Sequence, residues 1–141
     1  MVRNAVLDDY KAIHEISKVL GYKSVEEAIT KERLKHLITQ KDQLVIVYVQ
    51  DECVLGWLHC TLMHNLASES FYEIVGLAVC EDKQGMGIGT ALVEQALVLS
   101  NQTGVKIRVR CSTAREKSNQ FYIKANFNKI KTQNIYEYLP K

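Results

Sequence analysis

A single proline, Pro140, occurs in the whole chain, so no proline-rich linker divides it. No apolar run reaches the roughly 18 residues that a membrane span needs. Asp8 and Asp9 stand where a secretory signal would place its apolar core. Neither export nor membrane insertion is therefore expected, and a cytoplasmic location follows. The four cysteines, Cys53, Cys60, Cys80 and Cys111, contain no C-x-x-C pair, which favours reduced, buried thiols over a disulfide or metal framework. His14, His36, His59 and His64 also lack ligand-like spacing, so no metal is expected. Charge of one sign is scarce too, the formal net charge being only +2. The densest basic cluster, Lys31-Glu32-Arg33-Leu34-Lys35, alternates with an acid and a hydrophobe as a solvated helix face does, so no nucleic-acid partner is expected.

What is present is an ordinary globular balance, 47% hydrophobic and 24% charged residues over 141 positions, enough for one domain spanning 1–141. Residues 3–6 read as a first strand, with Asp8 or Asp9 capping a helix that carries Tyr10, Ile13 and Leu20 and stops at Gly21. Ser24-Val25-Glu26-Glu27 has the form of a capping box and predicts a second helix. Leu44–Val49 and Val54–Met63 predict a hairpin turning at Gln50-Asp51-Glu52, and Phe71–Val79 a further strand. A helix with Ile88, Leu92, Ala96 and Leu99 on one face ends at Gly104, and Lys106–Cys111 is again strand-like. Thr113-Ala114-Arg115-Glu116 predicts a last helix to about Ala125, and Phe127–Ile130 with Ile135–Leu139 a closing hairpin.

The chemistry concentrates where the Phe71–Val79 strand runs into Gln84-Gly85-Met86-Gly87-Ile88-Gly89-Thr90. Glycines at a strand-to-helix turn let an anion approach free amides and the positive end of the helix dipole; a tight turn alone is the plainer alternative. A Walker loop is excluded, because Thr90 and Ala91 follow Gly89 where lysine is required. A dinucleotide fingerprint fails too, since Thr90 and Leu92 replace its last glycine and Ile107–Cys111 supplies no acid. The remaining pattern, Q/R-x-x-G-x-G/A, is met at every specified position. With Leu77-Ala78-Val79 before it and Ala91-Leu92-Val93 after it, the chain resembles the GNAT superfamily of N-acetyltransferases over essentially its whole length.

That resemblance implies an α/β (α+β) GNAT fold, a mixed twisted sheet of about seven strands flanked by about four helices. It implies acetyl-CoA as cosubstrate, its pyrophosphate on Gln84, Gly85, Met86, Gly87, Ile88, Gly89 and Thr90 and its pantetheine on the backbone of Leu77, Ala78 and Val79. The oxyanion donor would be a backbone N–H of Leu77 or Val79. Phe71-Tyr72-Glu73-Ile74-Val75 is similar to a family segment whose glutamate deprotonates the acceptor amine. Strict alternation sets Glu73 on one face with Phe71, Val75, Leu77 and Val79, where a charge must be paired, exposed or functional. General base, ligand of the substrate ammonium and plain strand-end carboxylate all stay open for it. Phe121-Tyr122-Ile123-Lys124-Ala125-Asn126-Phe127 resembles L-Y-x-K-x-G-F, whose tyrosine protonates the leaving thiolate; Asn126 replaces the glycine, and Asn119 is assigned to pantetheine. The implied activity is direct acetyl transfer to a primary amine in a ternary complex, with a small-molecule acceptor and room for a homodimer. A protein or peptide acetyltransferase, and a catalytically silent acyl-CoA sensor, are the rivals.

Overall fold

Alternating apolar residues build the centre of the fold as a long antiparallel hairpin, Gln43–Gln50 (β2) against Cys53–Met63 (β3). Its turn places Asp51 and Glu52 at φ 50° and 64°. Two successive left-handed residues give a turn whose twist matches that of the strands it joins. The computed structural model describes residues 1–141, which form two compact units, Met1–Arg110 and Cys111–Lys141.

In the first unit Val2–Asn4 (β1) flanks β2, and Phe71–Val79 (β4) flanks β3, all antiparallel. Ile107–Val109 (β5) adds in parallel to β4 and completes a mixed sheet in the order β1-β2-β3-β4-β5. The helices Tyr10–Ser17 (α1) and Glu27–Ile38 (α2) cover one face, where Ala5, Ile13, Leu34, Val45 and Val47 are buried with Trp57 packed against them. Ile88–Thr103 (α3) covers the other, with Ile88 and Leu92 lying against Gly56 of β3. Leu58 and Leu92 are fully buried, which stabilises by about 1.5–3 kcal/mol for each such side chain.

Several helix boundaries form by other means than the sequence predicts. Asp9 makes no side-chain cap to α1. Its carboxylate instead accepts the Val6 N–H at 2.8 Å and both terminal nitrogens of Arg3, at 2.8 and 3.0 Å. The capping boxes at Ser24 and Thr113 do not form; α2 begins after extended Glu26, and neither start has a side-chain cap. Both glycine stops hold, Gly21 and Gly104 being left-handed at φ 74° and 71°.

Asp9 is only 7% exposed. Burial alone would raise its carboxyl, but the Arg3 guanidinium and the Val6 N–H outweigh that and hold it below the usual range. Its stabilisation is therefore complete above the unfolded value of about 3.9 and disappears as pH falls through the lower folded value. Asp9→Asn is expected to cost about 2 kcal/mol at pH 7. Urea midpoints should converge with wild type below about pH 4, once the native carboxylate is protonated too.

The C-terminal unit holds Glu116–Lys124 (α4), closed by Asn126 at φ 71° in the left-handed conformation expected of it. No strand follows. The predicted closing hairpin is absent, and Ile130, Ile135, Tyr136, Tyr138 and Leu139 are 65–88% exposed. A two-stranded ribbon that buries neither face has too little to offset the entropy of ordering it. The sheet therefore has five strands rather than about seven.

Candidate functional site

β5 pairs with β4 only at Tyr72, Glu73 and Ile74. From Val75 to Val79 the outer edge of β4 has no strand beside it, so Leu77, Ala78 and Val79 present backbone groups to an incoming extended ligand. β4 then passes through a single-turn segment, Glu81–Lys83, into the loop 84–87. Gly85 and Gly87 stand at φ 79° and 84°, conformations that disfavour a side chain, and a Cβ at either would meet nothing within 4 Å. The space beside both is open. α3 starts at Ile88, its first bond running from Ala91 N–H to the Gly87 carbonyl at 3.0 Å. The amides of Ile88, Gly89 and Thr90 thus lack acceptors within the helix, and the helix dipole adds to their pull on an anion.

Gly89 and Thr90 lie in the first turn of α3, not in the loop, while Met86 sits at the exposed loop tip. Gln84 donates its side-chain amide to the Val79 carbonyl at 3.2 Å, so it fastens the loop to the end of β4 and occupies one Val79 acceptor.

β4 departs from simple alternation at a bulge. His59 pairs with Gly76 and Cys60 with Ile74, leaving Val75 unmatched and 47% exposed. One extra residue reverses the side-chain phase. Glu73, opposite Thr61, therefore shares the α1/α2 face with His59, Gly76 and Ala78, whereas Leu77 and Val79 point to the α3 face. The expected common face for Glu73, Leu77 and Val79 does not exist.

Glu73 is 13% exposed and accepts a hydrogen bond from Arg110 Nε at 2.7 Å. On the same face His59 Nε2 meets Gln43 Oε1 at 2.6 Å, and Gln43 Nε2 donates to Thr61 Oγ1 at 2.7 Å. Burial lowers the His59 pKa, so the ring is neutral at pH 7 and donates from one nitrogen. The indole N–H of Trp57 is buried without an acceptor. The Arg110 and Gln43–His59 contacts escape sequence reading, although the alternation of Lys106, Arg108 and Arg110 signals a cationic strand face.

Gly76 is required for space. A Cβ there would lie 2.7 Å from Cη2 and Cζ3 of Trp57. Gly76→Ala must displace that ring and is expected to cost about 1–3 kcal/mol, read as a lower thermal midpoint with altered tryptophan fluorescence. An unchanged midpoint would mean that the indole yields freely.

Of the four thiols Cys60 alone is buried and Cys53 is exposed, and three are held in the poorly nucleophilic protonated form. Burial, with the Glu73 charge adding to it, pushes Cys60 up to about 12. Cys80, which donates to Asp82 Oδ1 at 3.1 Å, is raised chiefly by that bond. Cys111 is raised by burial. No disulfide joins any of the four.

In the C-terminal unit Tyr122 is 8% exposed and packs edge-on against Phe121 and Phe127, at centroid distances of 5.0 and 5.4 Å. Burial drives its phenol well above the ordinary tyrosine value; the Cys111 thiolate charge adds and Arg115 opposes. The hydroxyl thus stays protonated through the physiological range. Asn119 commits its NH2 group to the Ser112 and Arg115 carbonyls, at 2.9 and 2.7 Å, leaving only its side-chain oxygen for a ligand.

The model of the acetyltransferase (GNAT) family matches residues 6–127. No curated protein sequence matches the chain. Among solved structures, the aminoglycoside antibiotic 6'-N-acetyltransferase AAC(6')-IG from Acinetobacter haemolyticus is 15% identical at a TM-score of 0.82, with 100% of this chain and 99% of that one covered. An aminoglycoside acetyltransferase from an uncultured soil metagenomic sample is 19% identical at 0.82, covering 100% and 96%. A transcriptional regulator from Bacillus halodurans is 19% identical at 0.85, covering 99% of both chains. At these identities the likeness is one of fold.

Proposed function

The chain belongs to the acetyltransferase (GNAT) family, and on that premise we propose that it transfers an acetyl group from acetyl-CoA to a primary amine, directly and within a ternary complex. One observation carries the reading: the unpaired edge of β4 at Val75–Val79 leads into left-handed glycines and the uncapped start of α3. A peptide-like arm ending in a diphosphate fits that sequence of donors. Leu77, Ala78 and Val79 would hold the arm, and the amides of Gly85 to Thr90 the diphosphate.

Acetyl-CoA supplies an activated thioester: the acceptor nitrogen bonds to the acetyl carbon as the carbon–sulfur bond breaks. An alkylammonium has a pKa of about 10.4, so its proton must be removed at pH 7. Glu73 takes it, directly or through water. A backbone N–H of Leu77 or Val79 stabilises charge on the carbonyl oxygen, a contribution of about 3 kcal/mol in comparable sites. Tyr122, protonated as it is, gives a proton to the departing sulfur, and the second proton that the nitrogen sheds on becoming an amide restores the phenol.

The acceptor is a small-molecule amine in this reading, as in the two neighbours named aminoglycoside acetyltransferases. Calorimetry with acetyl-CoA tests the premise. Wild type is expected to bind with measurable heat, and Gly87→Val to bind at least about tenfold more weakly, the equivalent of one charge-assisted hydrogen bond. No heat of association would overturn the proposal. Binding without thiol release in the presence of any amine would make the chain a sensor.

A further inference from the structure

We infer that the acceptor carries its own anionic group, a carboxylate or phosphate a few bonds from the amine, with Glu73 receiving the ammonium and Arg110 the anion. This rests on the acetyltransferase reading and narrows its substrate class.

The inference comes from how charge is distributed along the β4–β5 edge. Lys106, Arg108 and Arg110 alternate, and each meets a residue in or just before β4. Lys106 Nζ lies 3.2 Å from Glu69 Oε2, Arg108 stacks 4.2 Å from the Phe71 ring centroid, and Arg110 Nε lies 2.7 Å from Glu73 Oε1. Both acids are paired with cations, and Arg108 has no carboxylate partner. The edge is thus net positive where a cationic amine must arrive.

The two members of the Glu73–Arg110 pair are unequally held. Glu73 is 13% exposed and fixed on the sheet, whereas the Arg110 side chain is 62% exposed and joined through Nε alone. Its terminal nitrogens have no partner in the chain. The nearby polar groups do not compete, because Gln43, His59 and Thr61 bond to one another.

An amine that reaches Glu73 must displace the guanidinium already there. A purely cationic acceptor would leave Arg110 unpaired beside it, with Arg108 near, and like charges oppose one another at that range. An acceptor with an adjoining anion keeps every charge matched. Its ammonium replaces the guanidinium at Glu73, and the freed planar fork takes the carboxylate or phosphate in two parallel bonds. Arg110 is in this sense a specificity residue.

The test is thiol release from saturating acetyl-CoA with matched amines: L-phenylalanine against 2-phenylethylamine, β-alanine against propylamine, and O-phosphoethanolamine against ethanolamine, with spermidine as the polycation. In the carboxylate pairs or the phosphate pair, kcat/KM is expected to favour the anionic member by about tenfold to a hundredfold; which pair responds identifies the anion. Spermidine should be the poorest acceptor. Arg110→Gln should bring that ratio to about one, and Arg110→Lys should retain part of it. Comparing one ratio across variants cancels the differing basicities of the amines. Equal or better use of the anion-free members in every pair, or a ratio unmoved by Arg110→Gln, would overturn the inference while leaving the transferase reading intact. Acetyl-CoA binding with no thiol release from any amine would defeat the transferase reading, and the inference with it.

Discussion

Replacing Glu73 with glutamine is expected to lower kcat by about 10² to 10⁴ at neutral pH, the range over which a positioned general base contributes. The amide keeps the shape of the side chain, and its oxygen still accepts from Arg110 Nε, so the β4–β5 edge should stay intact. What is lost is the capacity to take a proton. The deficit should therefore be greatest near pH 7 and shrink as pH climbs toward the amine pKa of about 10.4, where solvent delivers free amine. A pH–rate profile parallel to wild type would remove the base role. The split between constants separates the remaining readings: a carboxylate that only binds the ammonium would raise KM and spare kcat. A bystander would move neither.

Tyr122→Phe should reduce kcat by about tenfold to a hundredfold with little change in acetyl-CoA affinity. The size sits at the low end of general-acid effects because a thiol, with an ordinary pKa of about 8.5, is a tolerable leaving group even unprotonated. Phenylalanine retains the ring and hence the edge-on contacts with Phe121 and Phe127, so α4 should fold as before. Burial raises the phenol pKa, so its acid form survives beyond the range of an ordinary tyrosine. Wild type should accordingly show no loss of activity from tyrosine ionisation below about pH 10. Full activity in the phenylalanine variant, measured as thiol released per second, would eliminate the donor.

The strands were legible where side-chain chemistry and backbone geometry have the same period. Phe71–Val79 was bounded correctly, because an apolar run enters a glycine turn there and nowhere else. The glycine loop was legible for the same reason, as few residue types tolerate φ near 80°. The bulge was not, since Val75 continues an apolar pattern whichever way it points. Helix starts are not legible, because Ser24 and Thr113 have capping chemistry but α2 is entered from extended Glu26 and α4 from Arg115 at φ -93° and ψ 78°, neither with a side-chain cap. The tail repeats the alternation of a real hairpin, and only the absence of anything to cover Ile135 and Leu139 distinguishes it. The Arg110–Glu73 pair lies in plain view as residue types; joining the two, 37 positions apart, needs the parallel register of β4 and β5.

The unmatched Val75 also makes the strand tolerant of losing one particular residue. With Val75 absent, Ile74 and Gly76 would follow one another against Cys60 and His59, the ladder would close without an arch, and Glu73 would still lie opposite Thr61 in the layer beneath α1 and α2. Val75 therefore sets the local bend of the edge rather than the side on which the carboxylate stands.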